Sequence, residues 1–338
     1  MDILLSLPIA TYLLAPSSPS WSTSLNLLFF YMTWTTLILS HSPLKIRLVG
    51  TLAIRAALWL APSLLSLLFD LALPSLAEPL KFGGRSALPP RALARPLALA
   101  LANLAALSAA DAACSALFAA LSGSDDFRAS SALPLPWLLA KHVLLLLAAR
   151  ELLVYLVHRP LLHGRDSLVA RLHARYAHAR AAAPYSLQLM TDHPLPLLLH
   201  RFVPVYLPAL LLRPHLLTYF LFLALCTAEE TLAMSGYSVV PGIIMGGITR
   251  RCAIHYASGG TANYGAWGLL DWASGTSRGG DVLEDVKAEA DKHQLKRRSV
   301  KKADSGASAI QNGIEALRNG GGNGPRRSPR TRSNKRAS

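Results

Sequence analysis

The sequence predicts an all-α integral membrane bundle, about four spanning helices plus a short apolar hairpin, with a histidine-rich cap on the cytosolic side. Three observations predict it. Hydrophobic residues make up 52% of the 338 and charged residues only 16%, with a mean hydropathy of +0.33, a composition that leans toward membrane. Several apolar runs approach or exceed the roughly 20 residues that a helix needs to cross a bilayer. Six of the 11 histidines (His158, His163, His173, His178, His193 and His200) follow one another directly after a long apolar segment.

The elements follow in order. Residues 1–23 form an N-terminal segment that lacks the basic start and cleavage site of a secretory signal, so it is read as retained. Spans are expected at Leu25–Leu39, Leu48–Ala72, Ala92–Leu121 and Pro136–Val157. The third is Ala-rich, and its Asp111 must face protein or water. The apolar stretch Leu195–Leu232 is broken by Pro204, Pro208 and Arg213-Pro214-His215, which reads as two short helices in a hairpin. Four regions result: residues 1–23, N-terminal membrane helices over 24–134, a histidine-bearing domain over 135–280, and a charged tail over 281–338.

Charge sets the expected orientation. The loop with Lys81, Arg85, Arg91 and Arg95 is basic, and so is the histidine stretch with Arg159, Arg165, Arg171, Arg175 and Arg180. The loop with Asp125 and Asp126 is not. The positive-inside rule puts the histidines and the tail in the cytosol, with Lys45 and Arg47 dissenting. Much of the formal charge of +15 sits after Lys296. That tail has too little apolar surface to fold; it is read as a solvated segment or an anionic-lipid contact, with Ser299 and Ser328 as phosphorylation candidates. It lacks the interleaved aromatics of a nucleic-acid surface, so no nucleic-acid partner is expected. Cys114, Cys226 and Cys252 form no CxxC and imply neither disulfide framework nor zinc ribbon.

Buried neutral imidazoles without partners are costly, so a knot of them at the mouth of a membrane helix needs a cause. Transition-metal ligation is the simplest, because imidazole suits iron, copper and zinc. The isolated His41, His142, His215 and His293 are assigned to packing or solvent. His200, seven residues after His193, is read first as an imidazole in a partly buried polar contact, with a supporting role behind the ligands as the alternative. Asp192, Glu151, Glu229 and Glu230 are candidates to orient rings by accepting the second N–H. Two glutamates in an apolar hairpin carry a functional reading by default.

From Glu151 the chain reads ELLVYLVHRPLLH and, after a short turn, LARLHARYAHARAAAPYSLQLMTDHP. It supplies His158-Arg159 with His163, His173 with His178, Ala183-Pro184 and His193-Pro194. Ser235-Gly236-Tyr237, His255, Asn263-Tyr264-Gly265 and Asp271 with Gly275-Thr276 complete the series. In this order and spacing the chain resembles the fatty acid hydroxylase/sterol desaturase superfamily of integral membrane oxygenases. The resemblance implies metal ligation by His158, His163, His173, His178, His193 and His255. It further implies iron, two ions by expectation, with dioxygen as co-substrate. The reaction would be hydroxylation or desaturation of a lipid-like substrate such as a fatty acyl chain, a sterol or a polyketide-derived chain. It implies residence in the endoplasmic reticulum membrane. Membrane lipid is a partner, and electrons come from a haem protein and an NAD(P)H reductase, since no flavin or nicotinamide fingerprint is present.

The chain departs from the family pattern at several points. The first box has one extra residue, Ala177 stands where a paired histidine would begin, Met234 precedes Ser235-Gly236, and the third box is reduced to His255. These losses favour an alternative, a non-catalytic membrane scaffold or lipid-binding pseudoenzyme that keeps the fold. Residues five apart on a regular helix diverge by about 140°. Pro160 permits a break that brings His163 round to His158, and a π-bulge is expected to do the same for His173 and His178. Tyr256, Ser258 and Gly259-Gly260 occupy the slots of the missing imidazoles, where water or Glu229 or Glu230 is expected to complete the coordination.

Overall fold

The computed structural model describes residues 21–285 apart from 165 and 241, together with 287, 308 and 311. The chain divides after Asp285 into two units, and the first holds every element below. Most of the N-terminal segment and of the basic tail, with His293, Ser299 and Ser328, lies outside the described residues. Among the described residues the fold is helical with no strand.

The helices are α1 (Trp21–Ser40), α2 (Pro43–Ala72), α3 (Ala94–Ser122), α4 (Pro136–Val157), α5 (Leu168–Tyr176), α6 (Pro194–Leu212), α7 (Leu216–Ala233), α8 (Ile243–Ala257) and α9 (Leu269–Ala273). Their boundaries follow from local chemistry. Proline opens α2, α4 and α6, where its missing N–H is not needed. Ser42, Ser167 and His215 cap α2, α5 and α7 by accepting a backbone N–H. Gly123 closes α3 in the left-handed conformation. Arg213, also left-handed, separates α6 from α7 and makes the predicted hairpin. Three π-turns interrupt the bundle, at Ala56–Leu60 in α2, His158–Leu162 after α4 and Leu198–Phe202 in α6.

Among the described residues four helices, α2, α3, α6 and α7, are long and apolar enough to cross a membrane. The hairpin is thus made of two span-length helices, whereas Lys141, Arg150 and Glu151 interrupt the apolar run of α4. In α2 and α3 only 22% of the most apolar window is buried. Leu65, Leu68, Leu117 and Leu121 point outward, a coat of exposed apolar side chains that suits lipid and not water. Inside, α4 packs on α6 and α7, α2 packs on α3 and α7, and the turn Ser186–Met190 lies against α2 and α3.

Buried charges pin the helices at both ends. Arg47 donates to Asp111 Oδ1 at 2.8 Å and to the Asp111 carbonyl at 2.7 Å, and it also pairs with Asp126. Tyr206 and Ser115 donate to Asp126 at 2.9 and 3.1 Å, so one cluster ties α2, α3, the following loop and α6. This settles two features of the sequence. Asp111 faces protein, and Arg47 is neutralised inside the bundle, so it carries no weight as a loop charge. At the other end Lys81 donates to Asp70 at 2.6 Å and to the Ser235 carbonyl at 3.0 Å, while Tyr237 donates to Asp70 at 2.6 Å. The Ser235-Gly236-Tyr237 motif is therefore an anchor. Gly236 has φ +72°, and a Cβ there would strike the Pro184 carbonyl.

Removing one partner of a buried pair leaves an uncompensated charge and costs about 3–5 kcal/mol. Arg47→Met is expected to destabilise the detergent-solubilised protein by that amount in thermal or denaturant unfolding. A loss under about 1 kcal/mol, the range of exposed pairs, would show that the cluster does not hold the bundle.

Candidate metal centre

Four elements bring their histidines to one point. After α4 the chain enters the π-turn around Pro160, which absorbs the extra residue of the first box. The rings of His158 and His163 lie 4.9 Å apart between centroids, with their Nε2 atoms 3.2 Å apart. For the second box the structure differs from the expected π-bulge. Helix α5 ends at Tyr176, Ala177 caps it, and the chain turns away before His178. Ending the helix frees His178 from helical register, and its ring comes 5.1 Å from that of His173. The π-turn in α6 presents His200, 4.1 Å from His158, and α8 presents His255, 4.7 Å from His158 and 4.9 Å from His178. One ligand atom from each of His158, His163, His173 and His178 can be chosen so that all lie within 4.8 Å of one another.

Three of the rings are held by their outer nitrogens. His173 Nδ1 meets Asp192 Oδ2 at 2.6 Å, His158 Nδ1 meets the Tyr264 carbonyl at 2.9 Å, and His255 Nδ1 meets the Ala262 carbonyl at 2.7 Å. Such acceptors fix the tautomer with hydrogen on Nδ1 and turn Nε2 inward as a lone pair. The supports are themselves built. Asn103 of α3, fully buried, donates to the carbonyls of Met190 and Asp192 at 2.8 and 2.7 Å. Asp271 accepts from the backbone N–H of Tyr264 and Gly265 and from Thr276 Oγ1 at 2.6–2.9 Å. Asn263, at φ +59°, bridges the backbone of Arg251 and Arg278. The Asn263-Tyr264-Gly265 and Asp271-Gly275-Thr276 motifs thus form one loop whose product is the carbonyl that aims His158.

Donor chemistry and burial fit a transition-metal ion. Nε2 of His173 and His255 and both ring nitrogens of His178 are buried with no hydrogen-bond partner, an expensive arrangement unless a cation takes the lone pairs. Burial, followed by the neighbouring imidazoles, pushes His163 and His178 down to about 2. Burial likewise pushes His255 down to about 4, against a partial offset from its bond to Ala262. All three are neutral at physiological pH, the form a metal requires.

The structure brings His158, His163, His173, His178 and His255 together, and its treatment of the other predicted groups differs from the sequence expectation. His193 stands apart. Its Nδ1 accepts from the Leu195 N–H at 3.2 Å as the cap of α6, and its ring packs on Tyr176 at 5.3 Å. His200 takes the place in the cluster that was expected of His193. Asp192 supports a ring as expected. Glu229 instead accepts from Arg150 at 3.0 Å and from Trp267 Nε1 at 2.7 Å. Glu230 accepts from Arg150 at 2.9 Å and pairs with Arg201 at 3.1 Å, and Glu151 accepts from the Trp267 N–H at 2.8 Å. Arg150, Arg201, Asn103 and Trp267 were not foreseen. Lone polar residues in the apolar runs of α3 and α4 were the available signal.

The slots of the missing third-box imidazoles are packed. Tyr256 lies 5.0 Å from His178, Ser258 Oγ donates to the His255 carbonyl at 3.1 Å, and Gly260, at φ +82°, leaves the space that the His163 ring fills. A cavity of about 70 Å³ opens beside the rings, lined by His158, His200 and His255 together with Arg150, Glu229 and Glu230.

Fold and site together define a helical membrane protein with a buried, neutral histidine cluster. Residues 143–276 match the family model described as fatty acid hydroxylase, a segment that contains every histidine of the cluster. Over this segment the chain is similar to the fatty acid hydroxylases of the fatty acid hydroxylase/sterol desaturase superfamily, a family of membrane-lipid hydroxylase- or desaturase-type function. No solved structure matches the chain.

Losing a carboxylate behind a ligating histidine typically weakens metal binding about 10- to 100-fold. Asp192→Ala is expected to do so for Co²⁺ or Zn²⁺, measured by titration of purified protein. Unchanged affinity would mean that His173 is not a ligand or needs no orientation.

Proposed function

We propose that the protein is a membrane-bound non-haem oxygenase that binds iron, by expectation two ions, and uses dioxygen to hydroxylate or desaturate a lipid-like substrate. The observation that carries this reading is the convergence of five buried or half-buried imidazoles, of which His158, His173 and His255 are tethered through Nδ1, while Nε2 of His173 and His255 and both ring nitrogens of His178 lack partners. His158, His163, His173, His178 and His255 would hold the metal. Imidazole ligation suits this use, because it needs no thiolate that oxygen would consume. Bound iron supplies the reduction of dioxygen to an oxidant able to take hydrogen from an unactivated C–H bond.

The chain's own part is to hold and shield. Asp192, Tyr264 and Ala262 keep the three tethered rings in one tautomer. Leu162 and Ala177, both buried, lie in the chain between the paired histidines and help keep bulk water from the site. The cavity is large enough to hold water, and so also dioxygen. Apolar outer faces on α2, α3, α6 and α7 support a substrate that arrives laterally from the bilayer as a fatty acyl chain, a sterol or a polyketide-derived chain. Electrons would come from a haem protein and an NAD(P)H reductase.

Exposed Arg85, Arg91, Arg95, Arg171 and Arg175 support a cytosolic orientation for the histidine-bearing loops, and burial of Arg47 removes one of the two dissenting charges. We place the protein in the endoplasmic reticulum membrane, with the four regional divisions of the sequence as its organisation.

His173→Ala is expected to reduce oxygen-dependent product formation to background while the protein stays in the membrane, since one ligand is lost and little packing changes. His41→Ala, on an exposed stretch after α1, is expected to behave as wild type. Mass-spectrometric detection of oxygenated or desaturated lipid in cells expressing each variant checks this. Equal damage from both substitutions would remove the support for ligation.

A further inference from the structure

We propose that His200 is a metal ligand, the imidazole that makes up in space for one the third histidine box lacks. The inference rests on the metal reading above. His200 comes from an apolar helix and not from any histidine box of the sequence. It is 7% exposed, with its ring centroid 4.1 Å from that of His158 and 6.3 Å from that of His173. Metal–nitrogen bonds of about 2.0–2.1 Å put an imidazole centroid about 3.2 Å from the ion, so two rings on one ion lie at most about 6.5 Å apart. Both separations meet that limit.

The position is built and held. The π-turn Leu198–Phe202 carries His200, and π-turns are enriched at functional sites. The next residue, Arg201, is fixed by Glu230 at 3.1 Å. No described residue hydrogen-bonds the His200 ring, and the ring lines the same cavity as His158 and His255. A buried imidazole whose nitrogens meet no protein acceptor or donor, within ligand range of a cluster of the same kind, is placed to bind what that cluster binds. His158, His200 and His255 then supply the cavity face of the centre.

The test measures metal and not turnover. Wild type, His200→Ala, His200→Gln and His193→Ala are purified in detergent and checked for intact secondary structure. They are then titrated with Co²⁺, with the bound metal counted by elemental analysis and read from the visible spectrum. The expected result is wild-type binding for His193→Ala and, for both His200 variants, loss of about one ion per chain or at least about tenfold in affinity. Millimolar imidazole is expected to restore binding in His200→Ala. Wild-type stoichiometry and affinity in the His200 variants would overturn the proposal. So would a loss that imidazole does not repair, which would make His200 a packing residue. If wild type itself takes up no metal, the metal reading fails and the proposal fails with it. Metal bound by wild type but unaffected at His200 removes the proposal alone.

Discussion

Burying neutral imidazoles side by side is the constraint on which the rest of the molecule depends. Each ring brings two nitrogens that water would otherwise satisfy, and the tethered rings divide the task. The outer nitrogen of His173 is given to a carboxylate and those of His158 and His255 to backbone carbonyls, while inner nitrogens are left facing one another. That division requires rigid acceptors at three separate places. It accounts for polar groups that look out of place in an apolar chain: Asn103 in a membrane helix, Asp271 under the loop that offers the Tyr264 carbonyl, and Asp192 at the head of α6.

The departures from the family pattern become intelligible on the same basis. Ala177 is the cap at which α5 stops, and stopping the helix lets His178 turn back to His173. Met234 accepts the Cys252 thiol at 3.5 Å, Tyr256 packs on His178, and Gly260 makes room for His163. Each altered position now carries a residue that packs within or beside the histidine cluster. The half-buried carboxylates Glu229 and Glu230 line the same cavity as the rings, and their ion pairs with Arg150 and Arg201 and the Trp267 bond to Glu229 hold them there.

Much of this could be read from the sequence, and the failures have physical causes. Helix positions followed from hydropathy, because an apolar face wide enough for lipid leaves a plain signature. Pro160 and the five-residue spacing of His158 and His163 announced an irregular turn, and a π-turn is what forms. The same spacing at His173 and His178 suggested the same device, but the helix simply ends, a choice that spacing alone does not encode. His193 and His200 were the hardest to separate. A histidine before proline serves equally as ligand or helix cap, and His193 caps. His200 sits mid-helix with no motif around it, and only the π-turn and the packing of α4 on α6 bring it to His158. The dissenting charge of Arg47 was a matter of pairing, since its partners Asp111 and Asp126 are distant in sequence and adjacent in the bundle.

The central claim is that the cluster binds a transition metal through imidazole nitrogen alone on the protein side. The most direct measurement is X-ray absorption at the iron edge on protein purified and loaded with Fe²⁺. The account predicts a first shell of nitrogen and oxygen near the usual metal–imidazole distance of about 2.1 Å, with the outer-shell scattering that imidazole rings produce and no sulfur shell. A sulfur shell, or a first shell without imidazole scattering, would contradict it.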